Sequence, residues 1–126
     1  MTAAVLVVDD NAANMKLVSF LLSKKGYEVR TADSAGAALA CLEAFRPALI
    51  LLDLQMPGID GLTLARRLKA DPATREIIVV ALTAYAMHGD EKRARDAGCD
   101  GYITKPIDTR TLPIMVAELL EKHAQR

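Results

Sequence analysis

The residues that could do chemistry fall at four places: the pair Asp9-Asp10, then Asp53, Thr83 and Lys105. Each follows a short apolar run, namely Ala4–Val8, Ala48–Leu52, Ile77–Leu82 and Gly101–Thr104. If those runs are parallel strands, all four places lie at carboxyl ends, where open α/β sheets bind ligands beside the point at which strand order reverses. Three carboxylates gathered there repel one another unless one protonates or a cation neutralises them. Carboxylate oxygens with room for water and a phosphate oxygen suit a hard divalent ion such as Mg²⁺, whereas Zn²⁺ would ask for His or Cys. Lys105 supplies a fixed charge and Thr83 a hydroxyl donor, both toward an anion beside Asp53. The set reads as a phosphoryl site with a carboxylate nucleophile, at which the protein mostly positions charge.

Those side chains need a frame, and the apolar pattern supplies one. Short runs rich in Val, Ile and Leu alternate with amphipathic stretches, the signature of repeated βα units around a parallel sheet. The second strand, Glu28–Ala32, is more polar than the others and is expected at an edge. Helices are expected over Ala13–Lys25, Ala35–Phe45, Gly61–Lys69, Met87–Ala97 and Thr109–His123, with Ser34 capping the second. Gly26 and Gly98 fall where left-handed helix ends are wanted. Leu17, Val18, Leu21 and Leu22 share one apolar stripe of the first helix, and Phe20 falls outside it. Pro113 leaves two options for the fifth helix: a start nearer Thr111, or a distortion there. The fold class is therefore α/β, a flavodoxin-like (βα)5 three-layer sandwich with sheet order 2-1-3-4-5. That order makes the first and third strands neighbours and brings Asp9, Asp10 and Asp53 together.

Composition narrows the function. The chain has 126 residues, 52% hydrophobic, enough for one domain with a real core and too few for two. Sixteen Lys and Arg balance sixteen Asp and Glu, so no nucleic-acid partner is expected. The first eight residues lack a basic leader, and no apolar run approaches bilayer length, so a cytoplasmic protein without membrane insertion is expected. Cys41 and Cys99 have no metal or redox spacing and read as reduced structural thiols. His88 and His123 read as solvated, and neither suggests a phosphodonor.

The flanking residues sharpen the site. Asp53 leads into Leu54-Gln55-Met56-Pro57-Gly58-Ile59-Asp60-Gly61, where Pro57-Gly58 marks a tight turn and Gly61 admits the next helix at close quarters. Thr104-Lys105-Pro106 makes a cis peptide between Lys105 and Pro106 a plausible way to aim the lysine inward. With Val7-Val8-Asp9-Asp10-Asn11, Ala81-Leu82-Thr83-Ala84 and Tyr102-Ile103-Thr104-Lys105-Pro106, the whole chain resembles a response-regulator receiver domain of two-component signalling. The stretches Thr83-Ala84-Tyr85-Ala86-Met87 and Gly98-Cys99 are similar to stand-alone DivK-type receivers and to those fused to hybrid histidine kinases.

That resemblance implies that Asp53 accepts a phosphoryl group from the phosphohistidine of a histidine kinase or histidine phosphotransferase. It implies that Asp10, Asp53 and the main-chain carbonyl of Gln55 ligate Mg²⁺, with Asp9 helping through water. Thr83 and Lys105 would grip phosphoryl oxygens, and Tyr102 would turn inward with Thr83. Gln55 and Tyr85 would tune the phosphate's lifetime. Docking of the histidine donor would use Asn14 and Phe20, and output would pass through the fourth helix, fifth strand and fifth helix. A single receiver domain over residues 1–126 without an output domain is expected, the alternative being a module excised from a hybrid kinase or a longer regulator. The domain would catalyse only its own phosphorylation and dephosphorylation.

Rival classes fit less well. A haloacid-dehalogenase-type phosphatase wants a second acid two residues after its nucleophile, where this chain has Gln55. A flavodoxin-like redox protein wants a Ser/Thr/Gly-rich phosphate loop after the first strand, where Asp9-Asp10 would repel the phosphate. A transcription factor needs a second, basic domain.

Overall fold

The computed structural model describes residues 3–54, 61–83, 90–105 and 107–124. The elements are β1 (Ala4–Val8), α1 (Ala12–Lys24), β2 (Glu28–Ala32), α2 (Ala35–Leu42), β3 (Leu49–Asp53), α3 (Gly61–Ala70), β4 (Ile78–Thr83), α4 (Asp90–Asp96), β5 (Gly101–Thr104) and α5 (Thr111–Ala124). The strands form one parallel sheet in the order β2-β1-β3-β4-β5, as the sequence pattern predicts.

Period-two alternation explains why the central strands read as unbroken apolar runs: helices cover both faces. Val5, Val7, Leu49, Leu51, Val80 and Leu82 face α1 and α5, meeting Val18, Leu22, Leu112 and Val116. Leu6, Val8, Ile50, Leu52, Val79 and Ala81 face the other layer, meeting alanines and leucines of α2, α3 and α4. Edge strand β2 is mostly exposed.

Helix ends follow local chemistry. Gly26 and Gly98 take φ of 95° and 100°, and the next N–H in each case reaches back to Leu22 or Ala94 to close the helix end. Ser34 caps α2, its hydroxyl accepting the Ala37 N–H at 3.1 Å. The second helix stops at Leu42 rather than Phe45: the N–H groups of Glu43 and Ala44 turn to carbonyls three residues back. Phe45 nonetheless stays buried, which is why its position looked helical in the sequence. Helix α1 starts one residue earlier than expected, β3 and β4 run one residue later, and α3 is one longer. Helix α4 is confined to Asp90–Asp96 among the described residues, and Met87 and His88 lie outside them.

The last helix starts at Thr111, the first of the two options that Pro113 leaves open. Asp108 Oδ1 accepts the N–H groups of Arg110 at 2.8 Å and Thr111 at 3.2 Å, holding Thr109 and Arg110 as a turn. Pro113 then sits in the first helical turn, where its missing N–H costs nothing. The α1 stripe needs a correction too: Leu17 is 37% exposed, because it lies at the rim of the buried face. Both cysteines are free, Cys41 half-buried and Cys99 buried.

At the amino ends of the strands an ionic clamp joins α3, β4, β5 and α5. Lys69 Nζ donates to Asp100 Oδ2 at 2.8 Å, to the Ile77 carbonyl at 2.7 Å and to the Arg75 carbonyl at 3.2 Å. Asp100 Oδ2 also accepts the Val79 N–H at 2.9 Å. His123, expected to be solvated, is half-buried instead: its Nδ1 is 3.0 Å from the Leu119 carbonyl and its Nε2 3.8 Å from Asp100 Oδ1.

Candidate functional site

The carboxyl ends of β1, β3, β4 and β5 converge, and each delivers its expected residue. Asp53 ends β3 and Thr83 ends β4, each one place earlier than a position beyond the strand. Register does the rest: Val8 pairs with Leu52, which sets the next residues, Asp9 and Asp53, side by side. Asp9, Asp10 and Asp53 each offer a carboxylate oxygen, and these oxygens all lie within 4.8 Å of one another. Asp9, Asp53 and Thr83 are buried, at 1%, 2% and 0% exposure, while Asp10 is exposed.

Lys105 Nζ lies 3.1 Å from Asp53 Oδ2 and 3.6 Å from Asp9 Oδ2. Its backbone N–H donates to the Thr83 carbonyl at 2.7 Å, which aligns the residue after β5 with the end of β4. Asp9 is held from both sides: its N–H donates to the Ala32 carbonyl at 3.1 Å, and its Oδ1 accepts the Asn11 N–H at 2.9 Å. Among the described residues Asp9 Oδ2 is buried and receives no hydrogen bond.

Among the described residues the Lys105 ammonium therefore pairs with the buried Asp9 and Asp53, while Asp10 adds a third carboxylate beside them. Burial pushes the Asp9 carboxyl above its ordinary value, and the neighbouring Asp53 carboxyl adds to that; the Asn11 N–H and the Lys105 charge act against them. A buried orphaned oxygen beside two further carboxylates is the environment a hard cation would complete, and the all-oxygen donor set fits Mg²⁺.

The chain is matched over residues 5–117 by the response regulator receiver domain family. It belongs to that family. It is 46% identical over 107 residues to the polar-differentiation response regulator DivK of Brucella ovis, covering 85% of this chain and 87% of that one. The CheY-like receiver domain protein of Methanospirillum hungatei JF-1 superposes with a TM-score of 0.91 at 29% identity, covering 99% of this chain and 98% of the other. The receiver domain of the sensor histidine kinase PA1611 from Pseudomonas aeruginosa PAO1, solved with magnesium coordinated in its active-site cleft, gives a TM-score of 0.86 at 28% identity, with 96% and 99% covered.

Other residues singled out in the receiver sequence are distributed as follows. Tyr102 is half-buried on β5 and lines a groove with Thr104, Asp108, Thr111, Leu112 and Met115. Asn14 is half-buried in the first turn of α1, and Phe20 is 63% exposed, with Lys24 Nζ 5.9 Å from the ring centre. Gln55, Tyr85 and Pro106 lie outside the described residues, and with them the tuning positions and the Lys105-Pro106 peptide. The role of Asn11 was missed. Its side chain caps α1 by accepting the Asn14 N–H at 3.0 Å while its own N–H holds Asp9. The signal was an Asn directly before a helical run. Among the described residues no helix is long and apolar enough to cross a membrane.

Proposed function

We propose that this chain is a single-domain response regulator of a His-Asp phosphorelay, with Asp53 as the phosphoacceptor. The observation that carries the reading is the Asp9–Asp53–Lys105 arrangement with Asp10 beside it, anionic in excess and with one buried Asp9 oxygen that receives no hydrogen bond among the described residues. A carboxylate oxygen of Asp53 forms a bond to phosphorus as the phosphorus–nitrogen bond of the donor phosphohistidine breaks, and the electron pair returns to the imidazole nitrogen. Lys105, already beside Asp53 Oδ2, meets the charge of the arriving phosphoryl oxygens, and Thr83 offers them its hydroxyl. Asp10, Asp53 and the Gln55 carbonyl would hold Mg²⁺, with Asp9 acting through water. When bound, the ion neutralises the carboxylates and the charge on the transferring group.

The same residues would assist hydrolysis of the aspartyl phosphate, in which a water oxygen bonds to phosphorus as the bond to the Asp53 carboxylate breaks, so the domain would catalyse only its own modification, with Gln55 and Tyr85 setting its pace. Histidine kinases or phosphotransferases would dock around Asn14 and Phe20 of α1. Movement of Thr83 toward the phosphoryl group would let Tyr102 turn inward and alter the α4-β5-α5 face, through which a cytoplasmic protein target is read. Acetyl phosphate with Mg²⁺ tests the reading: one phosphoryl group should appear by intact mass, and none in Asp53→Asn or with a chelator. Equal labelling of Asp53→Asn would overturn it. Beryllofluoride should move the amide resonances of Tyr102 and Asp90–Asp96, and changes confined to the surroundings of Asp53 would refute the switch.

A further inference from the structure

Gly61 opens α3 and is buried. A methyl group on its Cα would lie 2.6 Å from the Asp53 carbonyl oxygen, 2.7 Å from Leu54 Cα and 3.0 Å from Leu54 Cδ2. The two shortest approaches are to backbone, so no side-chain rotation relieves them. Nor does backbone conformation call for glycine here: among the described glycines only Gly26 and Gly98 have positive φ. Close approach to the Asp53–Leu54 peptide, not backbone conformation, is what calls for glycine at position 61.

Neither side of this contact can retreat freely. The Asp53–Leu54 peptide is fixed by the sheet, with Asp53 opposite Leu82 and the Leu54 N–H donating to the Leu82 carbonyl at 2.9 Å. Helix α3 is fixed by Leu64, Ala65 and Leu68, at 0%, 0% and 2% exposure. We propose that Gly61 is a positioning residue for Asp53: by seating α3 directly on the Asp53–Leu54 peptide, it sets the carboxylate's place relative to Asp9, Asp10 and Lys105. This rests on Asp53 being the phosphoacceptor. The contrast is Gly36 in α2, which is exposed and has nothing within 4 Å of an added methyl.

The test compares Gly61→Ala, Gly36→Ala, both together, and Gly61→Ala with Leu54→Ala. Gly36→Ala should be at least as stable as the wild type and provides a firmer background. In chelator, Gly61→Ala should shift the amide resonances of Asp53, Leu54 and Lys105 while leaving Val79 and Asp100, at the far end of the sheet, in place. With Mg²⁺, acceptance from acetyl phosphate should fall roughly tenfold to a hundredfold, and Leu54→Ala should not restore it, because the backbone contacts remain. Wild-type acceptance with unmoved Asp53 and Lys105 resonances overturns the proposal, as does rescue by Leu54→Ala. A Gly61→Ala chain that stays unfolded in both backgrounds makes Gly61 a folding residue and overturns it as well. A wild type that takes up no phosphoryl group defeats the function proposed for Asp53 instead, and the chelator spectra still decide the role of Gly61.

Discussion

The two ends of the sheet hold ionic clusters of opposite character. At the amino ends, Lys69 meets three oxygens and Asp100 accepts from both an ammonium and a backbone N–H. At the carboxyl ends, Asp9 and Asp53 share Lys105 with the exposed Asp10 beside them, and an oxygen of Asp9 has no hydrogen bond among the described residues. The first cluster is hydrogen-bonded throughout its Lys69 ammonium and serves the fold; in the second, among the described residues, Asp9 Oδ2 is left without a hydrogen bond. Position alone does not separate structural from functional charge, since both clusters sit at strand ends. The buried Asp9 oxygen without a hydrogen bond among the described residues is what marks the second cluster as the candidate site.

The largest expected effect breaks the satisfied end. Lys69→Met removes the donor to two carbonyls and to Asp100, and should cost about 2–3 kcal/mol in urea unfolding, with phosphoryl acceptance per folded molecule retained. The comparison is Lys92→Met, which removes a pair of the same 2.8 Å length with Asp96, but with side chains 80% and 62% exposed. No measurable loss is expected there. Equal losses would mean that satisfaction and partial burial add nothing at Lys69.

The opposite sign is expected at the other end. Asp9→Asn keeps an acceptor for the Asn11 N–H and removes one charge from the crowded cluster, so in chelator it should stabilise the fold by about 1 kcal/mol. The pH dependence follows from the raised Asp9 value. Well below the ordinary carboxylate range Asp9 is protonated in both states and the variant gains nothing; as pH rises through the raised folded value, the wild type carries a buried charge and the advantage grows. Mg²⁺ at ten times its dissociation constant should stabilise the wild type by about 1.4 kcal/mol and the variant by much less. An advantage that is constant across pH would remove charge crowding from the account.

The same contrast explains what could be read from the sequence. The satisfied frame around the site was legible because Val5–Val8, Leu49–Leu52 and Ile78–Leu82 are continuous apolar runs that only a doubly covered strand needs. The clustering of the candidate residues was legible because each falls at or just beyond the end of a strand, so placing the strands placed the cluster. The clamp was not. Lys69, Asp100 and His123 are 31 and 23 residues apart, and their meeting depends on how α3 and α5 end against the sheet, which no local pattern encodes. Leu17 and Phe45 were misread for a related reason: apolar periodicity reports a buried face, not where that face stops.

Cys99 probes the satisfied end without adding a charge. Burial pushes its thiol up to about 11, Asp100 adds to the rise and Lys69 opposes it. At pH 8 a maleimide should modify half-buried Cys41 well before Cys99, which should react only as the chain opens. In the alkaline range the unfolded chain loses the thiol proton first, so stability should fall as pH rises from the ordinary thiol value toward about 11, and Cys99→Ala should flatten that limb. Equal native reactivity of the two thiols would show that the amino ends of β4 and β5 are looser than the clamp implies.

The smallest effect is expected at Asp108, a carboxylate at the same end of the sheet as Asp9 but with the opposite environment. Its Oδ1 accepts from Arg110 and Thr111, and these N–H groups, Arg110 first, hold its carboxyl below the ordinary value. The sign therefore reverses. Asp108 supports the start of α5 above the ordinary carboxylate range, and that support is lost as pH falls through its lowered folded value. Being exposed, it should contribute far less than Lys69. Asp108→Asn retains a neutral acceptor, so its melting temperature should sit slightly below the wild type at neutral pH and converge with it in acid. A gap that widens in acid would mean that the charge of Asp108 opposes the helix start, and that its two N–H contacts do not distinguish it from Asp9.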